Sequence, residues 1–252
     1  YCLLALADLE EATGDPDAAA QRRGAADTLR AAARRAFFDP ATGTFGNGSQ
    51  GSYATAIEAG ILTGAEAHAA GQRLVALIRA RGNRVSSGFA TTRTVVRALT
   101  TLGRSQVVYD ILLQSAEPGV GAMLDSGPGT FWECWWIDPD NTGTGSLNHV
   151  GLGGPFAAWA WEGLAGIRPT APGYTRFRVA PQFVDGVTRL ELHTETVRGE
   201  VAVRYSRNAS TAHIEVTVPP GSEATLAIEG RADAVLTTGT HVIEVETPRT
   251  RA

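Results

Sequence analysis

The apolar residues of this chain change their spacing once, near Pro169, and that change restricts the fold more than any other feature. Before it the period is helical. In "AADTLRAAARRAFFD" the residues Ala25, Leu29, Ala32, Ala33, Ala36 and Phe37 share one helical face, and Asp39-Pro40 stops the helix. "GAEAHAAGQRLVALIRARG" aligns Ala67, Ala70, Leu74, Leu77 and Ile78, with Gly82 as C-terminal cap. "TRTVVRALTTLG" and "RSQVVYDILLQSAE" are two further amphipathic segments, and "PFAAWAWEGLAGI" puts Phe156, Trp159, Ala160, Gly163, Leu164 and Ile167 on one stripe. Helices joined this closely predict antiparallel helical hairpins.

After the short linker "PTAPG" the apolar positions alternate: Phe177 and Val179; Leu190 and Leu192; Val201, Val203 and Tyr205; Ile214, Val216 and Val218; Leu226 and Ile228; Val242, Ile243 and Val245. Turn signals such as Arg198-Gly199 and Pro219-Pro220-Gly221 separate them at the spacing of an antiparallel sandwich. The expected fold class is therefore mainly α followed by all-β, with a helical part over 1–168 and a β-sandwich over 169–252. The chain opens on Tyr1 in "YCLLALADLEEA", already a helical pattern, and the expectation is a fragment whose upstream part is missing.

Composition narrows the chemistry. All 22 basic residues are arginine, which removes lysine Schiff-base catalysis and any phosphate loop ending in Gly-Lys-Ser/Thr. The formal net charge of -4 is spread along the chain, so no basic stripe marks a nucleic-acid partner, and no long apolar run marks a membrane span. Cys2 and Cys134 stand far apart without a CxxC partner, which indicates neither a zinc site nor a disulfide framework. No metal or other cofactor is expected.

Three long connections interrupt the helices: "DPATGTFGNGSQGSYA" from Asp39, "RGNRVSSGFATT" from Arg81, and the stretch from Glu117 to Gly154. Loops of such length in a compact domain are usually functional or mobile. The last contains "GTFWECWWIDPDNTGTGSLNHVGLGG", in which Glu133 is flanked by Phe131, Trp132, Trp135 and Trp136. An acid so placed reads either as a helix-start residue among core aromatics or as a sugar-site carboxylate. Indole faces stack on the apolar faces of pyranose rings, and acids, Asn and His bind the hydroxyl edges. A glutamate there suits general acid or base work. His149 likewise reads as a residue at the edge of the following helix or as a substrate contact, since the Gly-Thr-Gly segment before it lets the chain fold back onto Glu133. "DPDNTG", Asp138 to Gly143, imitates a calcium loop, but the twelfth position is His149 instead of glutamate, so a turn is the better reading.

These residues resemble a known family, the inverting α-L-rhamnosidases with an (α/α)6-barrel catalytic domain. The likeness lies in "TFWECW" from Thr130, "SLNH" from Ser146, "SSGFATT" from Ser86, "LLQSAEPGVGAML" from Leu112, "LAGIRPTAPGYTRFRVAP" from Leu164 and "VTVPPGSEATL" near the end. It implies an incomplete (α/α)6 barrel followed by the C-terminal β-sandwich. It further implies Glu133 as the general base that activates water, His149 and Asn148 as substrate contacts, and Trp132 and Trp135 as walls of the sugar subsite. The implied substrate is a rhamnose-containing oligosaccharide or glycoside. An inverting pair needs a general acid about 6.5–9.5 Å from the base, and nothing from Tyr1 to Phe131 looks like the family's acid-bearing motif. The expectation is that an upstream part of the same polypeptide supplies the acid and completes the barrel, and that this chain alone is inactive. Competing readings are another (α/α)6 glycosidase and a non-catalytic sugar-binding module.

Overall fold

The computed structural model describes residues 1–126, 128–135 and 145–246. They form two compact units, Tyr1–Leu102 with Gln114–Leu152, and Gly103–Leu113 with Gly153–Ala252. The first unit is helical: α1 (Cys2–Ala12), α2 (Pro16–Phe37), α3 (Gln50–Glu58), α4 (Gly64–Ala80), α5 (Phe89–Thr101) and α7 (Val120–Asp125). None of the described helices is long and apolar enough to cross a membrane. Asp15 caps α2 through the Ala18 N–H, with Pro16 at the first helical position, and Ser49 caps α3 through the Ser52 N–H.

Helix α4 buries the face its period predicts: Ala67, Ala70, Leu74 and Ile78, with Gly71 among them. Helix α2 does the opposite. Leu29 is 61% exposed and Phe37 57% exposed, and the buried residues are Ala19 and Ala26. The inward side of α2 is arginine. Arg22 reaches Glu10 of α1 at 3.2 Å, the Arg30 Nε donates to the Ala59 carbonyl at 2.7 Å, and Arg34 forms a two-pronged pair with Glu66 of α4 at 2.6 and 2.7 Å. Arginine stems cover apolar surface while their guanidinium groups reach partners on neighbouring elements, yet they read as a polar face in a sequence. In this chain the apolar side of α2, with Leu29 and Phe37, stands exposed.

The long connections are also shorter than expected. The one from Asp39 contains a two-residue hairpin, β1 (Phe38–Asp39) with β2 (Thr44–Phe45), and α3 begins within it at Gln50. The stretch from Glu117 holds α7, and α8 (Val150–Trp159) starts at its end. Elements this short lie below the window in which a period can be recognised.

The second unit contains the two four-stranded sheets. One sheet has the order β10-β7-β6-β5, built from β5 (Arg189–Thr196), β6 (Gly199–Arg207), β7 (Thr211–Val218) and β10 (Gly239–Glu246), antiparallel throughout. The other has the order β3-β4-β8-β9, built from β3 (Ile167–Pro169), β4 (Arg176–Val179), β8 (Glu223–Leu226) and β9 (Ala234–Leu236). Within it β4 and β8 run parallel, a departure from the all-antiparallel expectation. Phe177, Val179, Ala224 and Leu226 of one sheet share a core with Val201, Val203, Ile214, Val216 and Val245 of the other.

The predicted stripe from Phe156 to Ile167 is mostly buried, but it is not one helix. After α8 the chain makes a π-helical turn over Ala160–Leu164, and Ile167 lies in β3. Pro169 closes β3 on the sheet edge, where a missing N–H costs no ladder bond. Gly166 supplies the bend, at φ +70° and with any Cβ only 2.1 Å from the Ala180 carbonyl. Helix α6 (Ser105–Leu112) belongs to this unit as well: Trp159 donates its indole N–H to Ser105 Oγ at 2.9 Å, and Ser105 donates to Gln182 Oε1 at 2.6 Å.

The reassigned face of α2 makes a direct contrast. Leu74→Ala, at a fully buried position, is expected to lower unfolding free energy by about 2–5 kcal/mol. Leu29→Ala is expected to change it by no more than about 0.5 kcal/mol. Urea denaturation of both variants checks this, and comparable losses would show that α2 buries its apolar side after all.

Candidate functional site

The two described limbs of the Thr130–His149 loop are joined by backbone. Glu133 N–H donates to the Ser146 carbonyl at 2.8 Å and His149 N–H donates to the Phe131 carbonyl at 2.7 Å. The Thr130 hydroxyl also donates to the Leu147 carbonyl. These bonds bring Glu133 and His149 to neighbouring places, although sixteen positions of sequence separate them. The segment that the two limbs enclose includes Trp136 and the "DPDNTG" turn, both outside the described residues.

Glu133 is half-buried, and its carboxylate is held from the opposite limb: the Ser146 N–H donates to Oε2 at 3.0 Å. Ser146 therefore bonds Glu133 twice, accepting from its backbone and donating to its side chain. Gly145 makes this possible. It has φ +80°, and a Cβ there would lie 2.4 Å from Glu133 Oε2 and 2.9 Å from its carboxyl carbon. Only a residue without a side chain lets the carboxylate come this close to the returning chain.

Both flanking tryptophans are core-like, Trp132 at 4% exposure and Trp135 at 6%. Trp135 donates its indole N–H to the Ser87 carbonyl at 2.6 Å. The Trp132 Nε1, His149 Nδ1 and Ser87 Oγ are buried with no hydrogen-bond partner among the described residues. The His149 ring lies against Phe89, with centroids 4.5 Å apart and planes tilted by 59°. Asn148 is exposed, and its backbone N–H donates to Ser146 Oγ at 3.1 Å. Buried polar atoms are normally satisfied, so these three atoms, on Trp132, His149 and Ser87, stand out among the described residues.

All five residues picked out in the sequence thus lie on the paired limbs: Trp132, Glu133 and Trp135 on one, Asn148 and His149 on the other. Three contributors were not picked out as site residues. Ser87 and Phe89 lie in the "RGNRVSSGFATT" connection, whose length and resemblance single out the segment but neither residue, and Gly145 belongs to the Gly-Thr-Gly run read as flexible. Among the described residues no group of three or more His, Cys, Asp or Glu is arranged to hold a metal ion. Cys134 is a free, half-buried thiol.

Gly145→Ala is expected to cost about 1–3 kcal/mol in unfolding free energy and to push the Glu133 carboxylate off the Ser146 N–H. Gly154→Ala, where a Cβ meets nothing within 4 Å, is the control. Amide chemical shifts read the outcome: a large Ser146 shift in the first variant only is expected, and an unmoved Ser146 amide would count against the close approach.

Residues 1–164 match the family model described as the bacterial alpha-L-rhamnosidase 6 hairpin glycosidase domain, and residues 166–243 match the bacterial alpha-L-rhamnosidase C-terminal domain. An alpha-L-rhamnosidase of Alteromonas sp. (strain LOR) is 28% identical over 200 residues, covering 76% of this chain and 21% of that protein. One of Streptomyces avermitilis is 30% identical over 181 residues, covering 70% and 18%. The chain therefore spans about a fifth of the length of the curated relatives it matches. Among solved structures, the native rhamnosidase of Aspergillus terreus superposes with a TM-score of 0.84 at 23% identity, over 95% of this chain and 29% of that one. The Streptomyces avermitilis enzyme complexed with L-rhamnose superposes with a TM-score of 0.83 at 26% identity, over 95% and 25%. This chain belongs to the bacterial α-L-rhamnosidase six-hairpin glycosidase family.

Proposed function

We propose that the chain is the C-terminal part of a glycoside hydrolase that releases terminal α-L-rhamnosyl groups with inversion, with Glu133 as the general base. The observation that carries this reading is the placement of Glu133 in a member of this family. Its carboxylate is fixed by the Ser146 N–H on the returning limb that carries His149, and the neighbouring residues Trp132 and Trp135 are buried. A base must hold one geometry toward its water, and a carboxylate anchored at one oxygen does so.

In the proposed mechanism Glu133 takes a proton from water as that water attacks the anomeric carbon from the face opposite the leaving oxygen. A general acid about 6.5–9.5 Å away protonates the leaving group. Trp132 and Trp135 wall the subsite behind Glu133, and His149 and Asn148 bind ring hydroxyls of a rhamnose-containing oligosaccharide or glycoside. The orphaned Nδ1 of His149 and Nε1 of Trp132 support contact with a hydroxylated ligand.

Residues 1–168 would form the C-terminal part of the (α/α)6 barrel and residues 169–252 a β-sandwich domain. The acid would come from polypeptide outside this chain, whose helices complete the barrel. The exposed Leu9, Leu29 and Phe37 of α1 and α2 support such a neighbour, since they leave an apolar surface uncovered.

This chain alone is accordingly expected to release no p-nitrophenol from p-nitrophenyl α-L-rhamnoside above background, and robust turnover would overturn the division of acid and base. In a longer polypeptide that contains the chain, Glu133→Gln is expected to lower kcat by about 10²–10⁴-fold with L-rhamnose binding retained. The β-anomer should appear first by proton NMR. Turnover unchanged by Glu133→Gln removes the base role.

A further inference from the structure

Gln50 is a polar side chain 2% exposed, at the start of α3, far in sequence from every residue of the candidate site. Its amide is used at both ends. Nε2 donates to the Arg84 carbonyl at 3.0 Å, and Oε1 accepts from the Ser86 N–H at 2.9 Å. The primary amide thus pairs with the backbone of 84–86 as a neighbouring strand would, with one donor and one acceptor at alternate residues. Methionine or leucine would fill the same volume and make neither bond. Glutamate as a carboxylate would still accept from Ser86 but would set a second acceptor against the Arg84 carbonyl.

The segment that Gln50 grips is the one that touches both limbs of the site. One residue on, the Ser87 carbonyl accepts the Trp135 indole N–H at 2.6 Å. Two residues further, the Phe89 ring lies on the His149 imidazole at 4.5 Å. Thr92, fully buried, closes the first turn of α5 by donating its hydroxyl to the Gly88 carbonyl at 3.0 Å, so the segment is fixed at its far end too. From α3 to the site the connection is continuous: Gln50, the 84–89 backbone, then Trp135 on one limb and His149 on the other.

We infer that Gln50 is a positioning residue of the sugar site, acting through the 84–89 segment to set where Trp135 and His149 stand on either side of Glu133. Gln50 itself touches no substrate. The inference rests on the reading of the loop as a sugar site for its functional meaning, whereas its physical content, a coupling between Gln50 and two aromatic side chains, is open to test without any sugar.

The experiment uses the 252-residue chain, nitrogen-labelled, and follows the indole N–H signals and the His149 ring. Trp159 is the internal control, because its indole N–H donates to Ser105 Oγ in the other unit. Gln50→Met is expected to shift or abolish the Trp135 indole signal and to move the His149 ring signals, with Trp159 unmoved. Gln50→Glu is expected to behave as wild type at acid pH, where a protonated carboxyl can still donate to Arg84, and to lose the Trp135 signal as the carboxyl ionises. Should Gln50→Met fail to fold, the pH response of Gln50→Glu carries the test. Trp135 indifferent to both variants, Trp135 and Trp159 moving together, or a Gln50→Glu variant without pH response would each overturn the inference. Failure of Glu133→Gln to lower turnover would remove the proposed base role and leave this coupling standing.

Discussion

The site depends on one pairing: Ser146 takes the backbone N–H of Glu133 and gives its own N–H to the same residue's carboxylate. Without it, the acid would be a mobile side chain on a loop limb, and His149 would lie at the end of a long excursion. With it, a glutamate and a histidine remote in sequence share one short stretch of paired backbone. The indoles of Trp132 and Trp135 anchor that stretch by burial, and the Phe131 carbonyl fixes the returning limb just where the imidazole emerges. The arrangement holds the carboxylate in one orientation, as the proposed base role would require.

Much of this was legible in the sequence, for reasons that can be stated residue by residue. Alternation at Val201, Val203 and Tyr205, and at Ile214, Val216 and Val218, reports a sheet with a buried face because successive side chains in a regular strand point to opposite sides. Strand β9 escaped because only Leu236 in it is buried, and β3 escaped because Pro169 suggested a linker. Helix α2 leaves Leu29 and Phe37 exposed in this chain, while Arg30 bonds the Ala59 carbonyl and Arg34 pairs with Glu66 of α4, contacts that no hydropathy pattern announces.

The site itself was legible where chemistry crowds into few residues, as in Trp132-Glu133-Cys134-Trp135. It was not legible where the contribution is geometric. Gly145 matters for an atom it lacks, and no composition argument separates it from Gly143. Gln50 matters for two bonds to backbone, which any residue can offer, so nothing in the sequence near Arg84 or Ser86 announces the partner. The fold supplies these contributions by juxtaposition.

The parallel pairing of β4 with β8 has a kinetic side. Strands β5, β6 and β7 lie between them in the chain and pair with one another as successive hairpins in the opposite sheet. The hairpins need only local closure, while the β4–β8 ladder must wait for a long segment to be gathered in, at an entropic cost that local contacts do not meet. By contact order, the β5–β6–β7 hairpins are expected to close before the β4–β8 ladder that completes the mixed sheet.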